Sequence, residues 1–499
     1  MSKHHPALSW TEWGRTDAVG LAQLIRERQI TAEEAASQAT LAAALLEPQL
    51  GAVLEIFDDI VKNPAADGAS QDGALWGVPL FVKDLGSSIA GRLRESGSAL
   101  GKGRLCDRTD PLFNNLHRAG LVAVGRATTA EMGMTYDTTT SYRGLKVTRN
   151  PWNPEYTPGG SSGGSAALVA AGAVPLAHST DGAGSTRIPA AFTGLVGLKV
   201  SRGRLPPPWS FSEYGNETMT EGVFSRTVRD TAAFLDAAAA ARPLGKSFIP
   251  VPAPALSFGA EALRAPGRLR IGFSTGAWGR TTPCAPHVAE RTREVAKHLQ
   301  ALGHHVEEVG DGQISDWNRF WPSFRTFWLG MRPAMWALEH GGKLPEELVE
   351  QLTPMARKFW AVSQKIDKAA VLQHQSSNNL HMVALGAFFE EYDLLLVPAF
   401  AASTPKANGP FSLMNDRDFD TYANELLDAG RYAIPASDAG IPSISLPAGK
   451  DELGLPLGIQ LYGRWFEEHR LLQVATQLEQ LLPQWFNTAP PVHVSHLPR

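Results

Sequence analysis

The 499-residue sequence has few cysteines, no long apolar run and no excess of charge of either sign. Its two cysteines, Cys106 and Cys284, lack metal-ligand spacing and cannot build a disulfide framework, so we interpret them as small buried hydrophobic residues in a reducing cytoplasm. No stretch approaches the roughly 18 uninterrupted apolar residues of a membrane span, and the first residues lack the apolar core of a secretory signal. With 46 basic and 50 acidic side chains, no footprint for nucleic acid is expected.

What the chain does have is an alternation of short apolar runs with helix-forming stretches. Runs at Val78–Val82, 121–124 and Ala173–Ala177 have the character of buried strands, and each leads into a polar or glycine-rich segment. Strands that alternate with helices indicate an α/β fold. A hydrophobic share of 43% and a charged share of 19% are those of an ordinary globular protein with a large core.

Three other segments carry specific predictions. Residues 17–45 are expected to form two helices, the second beginning with a capping box of Thr31 and Glu34. Residues 268–309 predict a strand–helix–strand unit. Aromatic side chains between Trp317 and Trp336 recur three or four residues apart, which indicates one helix face; both a buried core face and the wall of an apolar pocket fit this pattern.

A glycine–serine segment lies at residues 157–172, with the sequence TPGGSSGGSAALVAAG. It is not typical of a flexible linker, because it runs directly into an apolar, helix-forming stretch. It is not typical of a phosphate-binding loop either, because no lysine follows the glycines. Residues 160–164 formally match G-x-S-x-G with Ser162 at the centre, but three prolines upstream oppose the strand that a nucleophile elbow needs.

A second small-residue turn, DGAGS, lies at residues 181–185. Its small residues leave successive backbone amides free to point into one space, which suits an oxyanion, with Ser185 as a nucleophile at its edge. An ordinary glycine-rich turn accounts for this stretch equally well. Among candidate bases, Lys83 stands at the end of an apolar run, where burial disfavours its charged form; the alternative is a lysine that extends from the strand end into solvent.

Taken together, these segments resemble the amidase signature family. GVPLFVKDL, the glycine–serine segment, STDGAGSTRIPAAFTGLVGLKVSRGRLP and the C-terminal GIPSISLPAG and GLPLGIQLYG follow one another in the family's order. The resemblance covers nearly the whole chain and implies one domain, 1–499, with a central mixed β-sheet covered by helices on both faces. Its core is expected at about 65–235 and 390–485, and the variable region at 240–390 is expected to shape the substrate site.

The resemblance also implies the catalytic residues. Ser185 matches the family's nucleophile, and Ser161, which is 24 positions upstream, matches a serine that follows a cis peptide bond and relays the proton to Lys83. The implied oxyanion hole consists of four consecutive backbone amides, those of Gly182, Ala183, Gly184 and Ser185. No metal or cofactor is implied by this chemistry.

The supporting residues show some departures from the family pattern. Asp181 and Arg187 match an ion pair that braces the turn, and Ser162 is a further supporting residue beside the relay serine. Ala183 stands where the usual D-x-G-G-S has a glycine, so the turn must accommodate a residue that does not easily adopt a positive φ. The family's P-A-N-x-x-G reads PASDAG at 435–440. The DGAGS variant resembles the subgroup that contains the 6-aminohexanoate cyclic dimer hydrolases, with carbamate-cleaving urethanases as further relatives.

The implied activity is hydrolysis of a non-peptide C–N bond in a small-molecule amide, anilide, cyclic ω-amino amide or carbamate. It would proceed through an acyl-enzyme, in a monomer or homodimer with no nucleic-acid or membrane partner. Two other hypotheses stay open: an α/β-hydrolase-like esterase that uses Ser162, and a non-catalytic amidotransferase-like subunit. The presence of all three catalytic residue types argues against the second.

Overall fold

The structure, a computed structural model, describes residues 6–208, 218–239, 251–338 and 341–498. Its strands are β1 (Val53–Ile56), β2 (Pro79–Lys83), β3 (Val122–Ala127), β4 (Thr139–Thr140), β5 (Lys146–Val147), β6 (Leu176–Asp181), β7 (Val196–Lys199), β8 (Thr220–Ser225), β9 (Arg270–Phe273), β10 (His305–Glu308), β11 (Leu394–Pro398), β12 (Ser443–Lys450) and β13 (Pro456–Gly463). Its helices are α1 (Trp10–Arg15), α2 (Ala18–Arg26), α3 (Ala32–Leu50), α4 (Asp58–Lys62), α5 (Pro111–Arg118), α6 (Gly163–Ala170), α7 (Arg187–Thr193), α8 (Val228–Ala238), α9 (Phe258–Ala262), α10 (Pro286–Ala301), α11 (Asp311–Ile314), α12 (Trp317–Leu338), α13 (Glu346–Glu350), α14 (Pro354–Ser363), α15 (Lys368–Glu391), α16 (Phe419–Gly430), α17 (Ile434–Ala439), α18 (Glu468–Leu481) and α19 (Pro483–Phe486).

One mixed sheet of 11 strands forms the centre of the fold, in the order β1-β3-β2-β6-β8-β7-β12-β13-β11-β9-β10. β2 is parallel to both of its neighbours, β3 and β6, and β9 is parallel to both β10 and β11. The other pairs in this sheet are antiparallel. The predicted central mixed sheet is therefore confirmed, while β4 and β5 pair separately.

Helices cover both faces of the sheet, and β11 shows how the sequence achieves this. Leu394 and Leu396 belong to one hydrophobic cluster, with side chains of α3, α8 and α18. Leu395 and Val397 belong to a second cluster, with side chains of α12, α14 and α16. Successive strand residues point to opposite faces, so a strand that is covered on both sides has to be apolar throughout.

The segment predictions are confirmed. α2 and α3 occupy the two predicted helical stretches, and the capping box of Thr31 and Glu34 starts α3. β9, α10 and β10 form the strand–helix–strand unit, with the two strands parallel. α12 contains the aromatic segment, and all seven aromatic side chains from Trp317 to Trp336 are buried.

One predicted boundary is wrong, because the strand ahead of the DGAGS turn is β6 at 176–181, which shares only positions 176 and 177 with the predicted 173–177. α6 ends in a turn at Gly172, which has a φ of +74°, and the amide of Ala173 bonds back to the carbonyl of Leu168. Pro175 then has no amide to donate to a strand ladder. The strand therefore begins after this proline and extends up to the turn itself.

The sheet takes strands from most of the described chain. Two of them, β9 and β10, come from the 240–390 region, and the division into a core and a substrate-shaping region stays a prediction.

Cys106 and Cys284 are unpaired and only half-buried, which is less than predicted for small core residues. Within the described residues, no helix is both long and apolar enough to cross a membrane.

Candidate active site

The site lies where two parallel strands in the sheet come to an end. β2 and β6 pair through two positions only, 80 with 176 and 81 with 177, and their ladder stops there. Lys83 is the last residue of β2, and Asp181 is the last residue of β6. Because the carboxyl ends of parallel strands face the same edge of a sheet, side chains at these ends converge on the gap between the strands.

Lys83 and Ser161 meet in this gap, although they are 78 residues apart in the sequence. Nζ of Lys83 donates to Oγ of Ser161 and to Oγ1 of Thr180, each at 2.8 Å. Lys83 and Ser161 are each only 1% exposed, and the peptide bond between Gly160 and Ser161 is cis. An amine in direct hydrogen-bond contact with a hydroxyl, shielded from water, can exchange a proton with it.

The glycine–serine segment is tightly packed. A methyl group on Gly160 would lie 2.6 Å from the carbonyl oxygen of Thr135, and a methyl group on Gly164 would lie 2.6 Å from the amide nitrogen of Thr128. Gly159 has a φ of +90°, a conformation that L side chains rarely adopt. These glycines allow close approach of neighbouring backbone, which agrees with the rejection of a flexible linker.

Ser162, the centre of the formal G-x-S-x-G match, is buried and hydrogen-bonded. It immediately precedes α6, is 0% exposed, and donates from its hydroxyl to the carbonyl of Thr180 at 3.3 Å. Residues 151–162, all of them described, contain no strand that could lead into an elbow. The hypothesis of an esterase with a Ser162 nucleophile therefore lacks both the exposed hydroxyl and the strand–turn–helix context that it requires.

Asp181 and Arg187 form a buried ion pair with two contacts. Nε of Arg187 donates to Oδ2 of Asp181 and Nη2 donates to Oδ1, both at 2.9 Å. Arg187 also donates to Oγ of Ser437 at 2.7 Å and to Oε1 of Gln460 at 2.8 Å. Although burial opposes ionisation, the Arg187 guanidinium holds the pKa of Asp181 below its ordinary range. The pair therefore ties the DGAGS turn to α17 and β13.

The four backbone amides assigned to the oxyanion hole are not equivalent. The amide of Gly184 donates to Oδ1 of Asp181 at 2.7 Å, so it is already engaged. The amides of Gly182, Ala183 and Ser185 donate to no acceptor within the described residues. The positive φ falls on Gly184, at +114°, and not on Ala183. This is why the turn accommodates an alanine in place of the family's usual glycine.

Ser185 stands at the end of this turn. It is 7% exposed, and within the described part of the chain its hydroxyl makes no hydrogen bond. The structure thus joins Lys83 to Ser161 directly, whereas Ser185 is not hydrogen-bonded to either of them. Among the described residues, no group of three or more His, Cys, Asp and Glu side chains is arranged to hold a metal ion.

Three further residues contact this site and were not predicted from the sequence. Thr180 accepts from Lys83, Ser437 accepts from Arg187, and Tyr136 donates from its hydroxyl to the carbonyl of Ala183 at 3.2 Å. Thr180 could have been found, because it immediately precedes Asp181, which the sequence already places at the site. Ser437 lies in the PASDAG segment that matches a family motif in part, whereas nothing in the local sequence around Tyr136 signals its contact.

Comparison with known proteins is decisive for the family. The sequence model of the amidase family matches residues 35–472. The chain belongs to the amidase family. It is 32% identical over 492 residues to the 6-aminohexanoate-cyclic-dimer hydrolase of Pseudomonas sp. (strain NK87), with 94% of this chain and 95% of the relative covered. It is 31% identical over 490 residues, with the same shares covered, to the putative amidase AmiC of Mycobacterium tuberculosis (strain H37Rv).

The solved structures agree with this family assignment. The structure of 6-aminohexanoate cyclic dimer hydrolase superposes with a TM-score of 0.85 at 28% identity, covering 96% of this amidase and 99% of that chain. The amidase signature fold and the similarity to the cyclic dimer hydrolases, both implied by the sequence motifs, are thereby confirmed. This amidase is a hydrolase that acts on amide bonds.

Proposed function

We propose that this amidase hydrolyses non-peptide C–N bonds through an acyl-enzyme, with Ser185 as nucleophile, Ser161 as proton relay and Lys83 as base. The observation that carries the proposal is the 2.8 Å hydrogen bond from the buried Nζ of Lys83 to Oγ of Ser161. Ser185 lies on the turn that follows β6, is 7% exposed and has no hydrogen bond from its hydroxyl within the described residues, which supports its role as the attacking group.

The proton transfers balance over one cycle. The transfer requires Lys83 to enter as a neutral amine; it accepts a proton from Ser161 while Ser161 takes the proton of Ser185. Oγ of Ser185 attacks the carbonyl carbon, and the proton returns through Ser161 to the departing nitrogen as the C–N bond breaks. A water molecule then attacks the acyl-enzyme by the same relay, releasing the acid and restoring Ser185.

Three amides are available for the negative charge that develops on the carbonyl oxygen. Those of Gly182, Ala183 and Ser185 are unengaged within the described residues, whereas that of Gly184 is committed to Asp181. We therefore propose a three-donor oxyanion hole in place of the four donors that the family pattern implies. Losing one such donor costs about 3–4 kcal/mol of transition-state stabilisation in comparable acyl-transfer sites.

The proposed substrates are amides, anilides, cyclic ω-amino amides or carbamates with an apolar acyl or aryl part. Tyr136, which contacts Ala183 beside the proposed nucleophile, packs edge-on against Phe400 and Phe411, and Phe400 packs edge-on against Phe192. Such a cluster favours apolar groups close to the reacting carbonyl. Two relatives are named as hydrolases of a cyclic dimer of 6-aminohexanoate, a cyclic ω-amino amide.

The proposal is tested with a panel of p-nitroanilides, cyclic amides and aryl carbamates. Ser185→Ala and Lys83→Ala are expected to abolish turnover of every substrate that the native enzyme cleaves, and Ser161→Ala is expected to reduce it strongly. Ser165→Ala is the matched control for Ser161→Ala. Ser165 lies in α6 and is as buried as Ser161, and its hydroxyl has no partner within the described residues. Labelling with a fluorophosphonate, followed by mass spectrometry, should modify Ser185; full activity of Ser185→Ala would refute the proposal.

A further inference from the structure

A buried histidine and glutamate lie directly behind Lys83 and have no part in the proposed chemistry. His178 is 0% exposed and Glu221 is 3% exposed, and Nε2 of His178 is hydrogen-bonded to Oε2 of Glu221. The other ring nitrogen, Nδ1, accepts the backbone amide of Lys83 at 3.3 Å. Oε1 of Glu221 accepts the amide and the hydroxyl of Ser87, at 3.0 and 2.9 Å.

The pairing of β2 with β6 explains why a side chain of β6 accepts the backbone amide of Lys83. The register between β2 and β6 covers positions 80 and 81 only, and beyond it a side chain of β6, that of His178, accepts the amide of Lys83. His178 and Thr180 are two residues apart on β6 and therefore point to the same face. His178 bonds to the backbone amide of Lys83 and Thr180 bonds to its Nζ, so one face of β6 holds both ends of this lysine.

Glu221 determines which nitrogen of His178 is the acceptor. Its carboxylate can only accept, so Nε2 of His178 must carry the proton, and Nδ1 is left as the acceptor for the amide of Lys83. The opposite tautomer would place an N–H on Nδ1 against the N–H of Lys83. Glu221 pairs with Thr180 in the register between β6 and β8, which keeps its carboxylate diagonal to His178.

We infer that His178 is a positioning residue for Lys83 and that Glu221 fixes the His178 tautomer needed for this task. The inference rests on the proposed role of Lys83 as the base. A histidine–glutamate pair is costly to bury unless its hydrogen bonds are satisfied. Within the described residues, the side-chain hydrogen bonds of this pair to other residues lead to Lys83 and to Ser87 in the loop that follows it. The pair thus holds the backbone at Lys83 and again at Ser87, shortly after Lys83 in the chain.

Four variants test the inference on the full-length enzyme. His178→Leu removes the acceptor and should lower kcat about 10-fold, the equivalent of one lost hydrogen bond, while KM stays within a factor of two. His178→Asn places Oδ1 close to the position of Nδ1 and should retain most of kcat. Glu221→Gln presents an N–H to His178, reverses the tautomer, and should lower kcat as His178→Leu does. His117→Asn is the matched control, since His117 is also buried and also contacts Phe113, but does not contact Lys83.

The double variant separates positioning from a general structural role. Asparagine needs no tautomer, so adding Glu221→Gln to His178→Asn should leave kcat unchanged. If Glu221→Gln lowers kcat equally in both backgrounds, or if His178→Leu has native kcat, the inference is wrong. Nitrogen-15 NMR of the imidazole should show Nδ1 of His178 unprotonated in the native enzyme and protonated in Glu221→Gln. This readout does not depend on activity. Failure of the proposed function, seen as an active Ser185→Ala, is therefore distinguishable from failure of the inference about His178.

Discussion

The hydroxyl of Tyr136 donates to the carbonyl oxygen of Ala183 at 3.2 Å. At the other end of the same peptide bond, the amide of Gly184 donates to Asp181 at 2.7 Å. One peptide plane in the DGAGS turn is thus held at both ends, by side chains from different parts of the chain. A fixed plane keeps the neighbouring amides in one orientation, which is the property that an oxyanion site requires.

Removing one of these two hydrogen bonds should reduce turnover without unfolding the enzyme. For Tyr136→Phe we expect kcat to fall about 5-fold, corresponding to about 1 kcal/mol for one lost hydrogen bond. Tyr462→Phe is the matched control, because its buried hydroxyl bonds to the carbonyl of Tyr432 and not to the turn. Steady-state kinetics and thermal unfolding of both variants check this. Equal losses of kcat in the two variants would contradict a specific role of Tyr136.

The buried ion pair below the turn should be far more important for stability than an exposed one. Arg187→Met leaves the carboxylate of Asp181 buried without its charge partner, and we expect a loss of about 3–5 kcal/mol in the free energy of unfolding. Lys406→Met, which breaks a pair with Glu155 whose two side chains are 53% and 72% exposed, should cost much less, because water screens both charges. Urea unfolding at pH 7 measures both. Comparable losses would show that burial does not determine the contribution of the Arg187 pair.

The glycines of the glycine–serine segment should be intolerant of a methyl group where backbone lies close. Gly164→Ala places Cβ 2.6 Å from the amide nitrogen of Thr128, so we expect a loss of at least about 2 kcal/mol in stability. Gly386→Ala is the control, because that position in α15 has no neighbouring atom within 4 Å. There, helix propensity predicts a gain of up to about 1 kcal/mol. Thermal unfolding compares the two; a well-tolerated Gly164→Ala would mean that the segment is packed less tightly than these contacts indicate.

Local patterns and family motifs account for much of this molecule, and the exceptions have a common cause. The strand of Lys83, the capping box of Thr31 and the aromatic helix α12 could be predicted because each depends on neighbours a few residues away. The contacts of Tyr136 with Ala183 and of Ser437 with Arg187 span 47 and 250 residues. Such contacts depend on how separate elements pack together, which periodicity in a single sequence does not encode.

The wrong start of β6 has a different origin. The apolar character of 173–177 is real, but it belongs first to the turn that ends α6 and only then to the strand. Apolar runs of this length cannot be divided between a helix end and a strand by composition alone. The engaged amide of Gly184 was missed for a related reason, since a family pattern gives the position of an amide but not its hydrogen-bond partner.

A final prediction concerns Asp137, next to Tyr136 in the segment that packs against Gly160. Asp137 is buried; its Oδ2 accepts the amide of Asn408 at 2.9 Å, and its Oδ1 accepts the hydroxyl of Thr139. Burial raises the pKa of this carboxyl to about 6, and the hydrogen bonds to Thr139 and Asn408 offset this only in part. The folded state therefore binds this proton more tightly than the unfolded state does.

The sign of the pH effect follows from linkage. Below the ordinary aspartate pKa of about 3.9 the contribution of Asp137 to stability is complete, and it is lost as the pH rises through about 6. We expect this one group to remove about 3 kcal/mol of stability over that window. Asp137→Asn should abolish the effect, because the amide has nearly the same shape and does not ionise. Urea unfolding of both proteins at pH 5 and pH 8 should thus show the variant gaining stability relative to the native enzyme as the pH rises; parallel pH profiles would contradict the burial of an ionising Asp137.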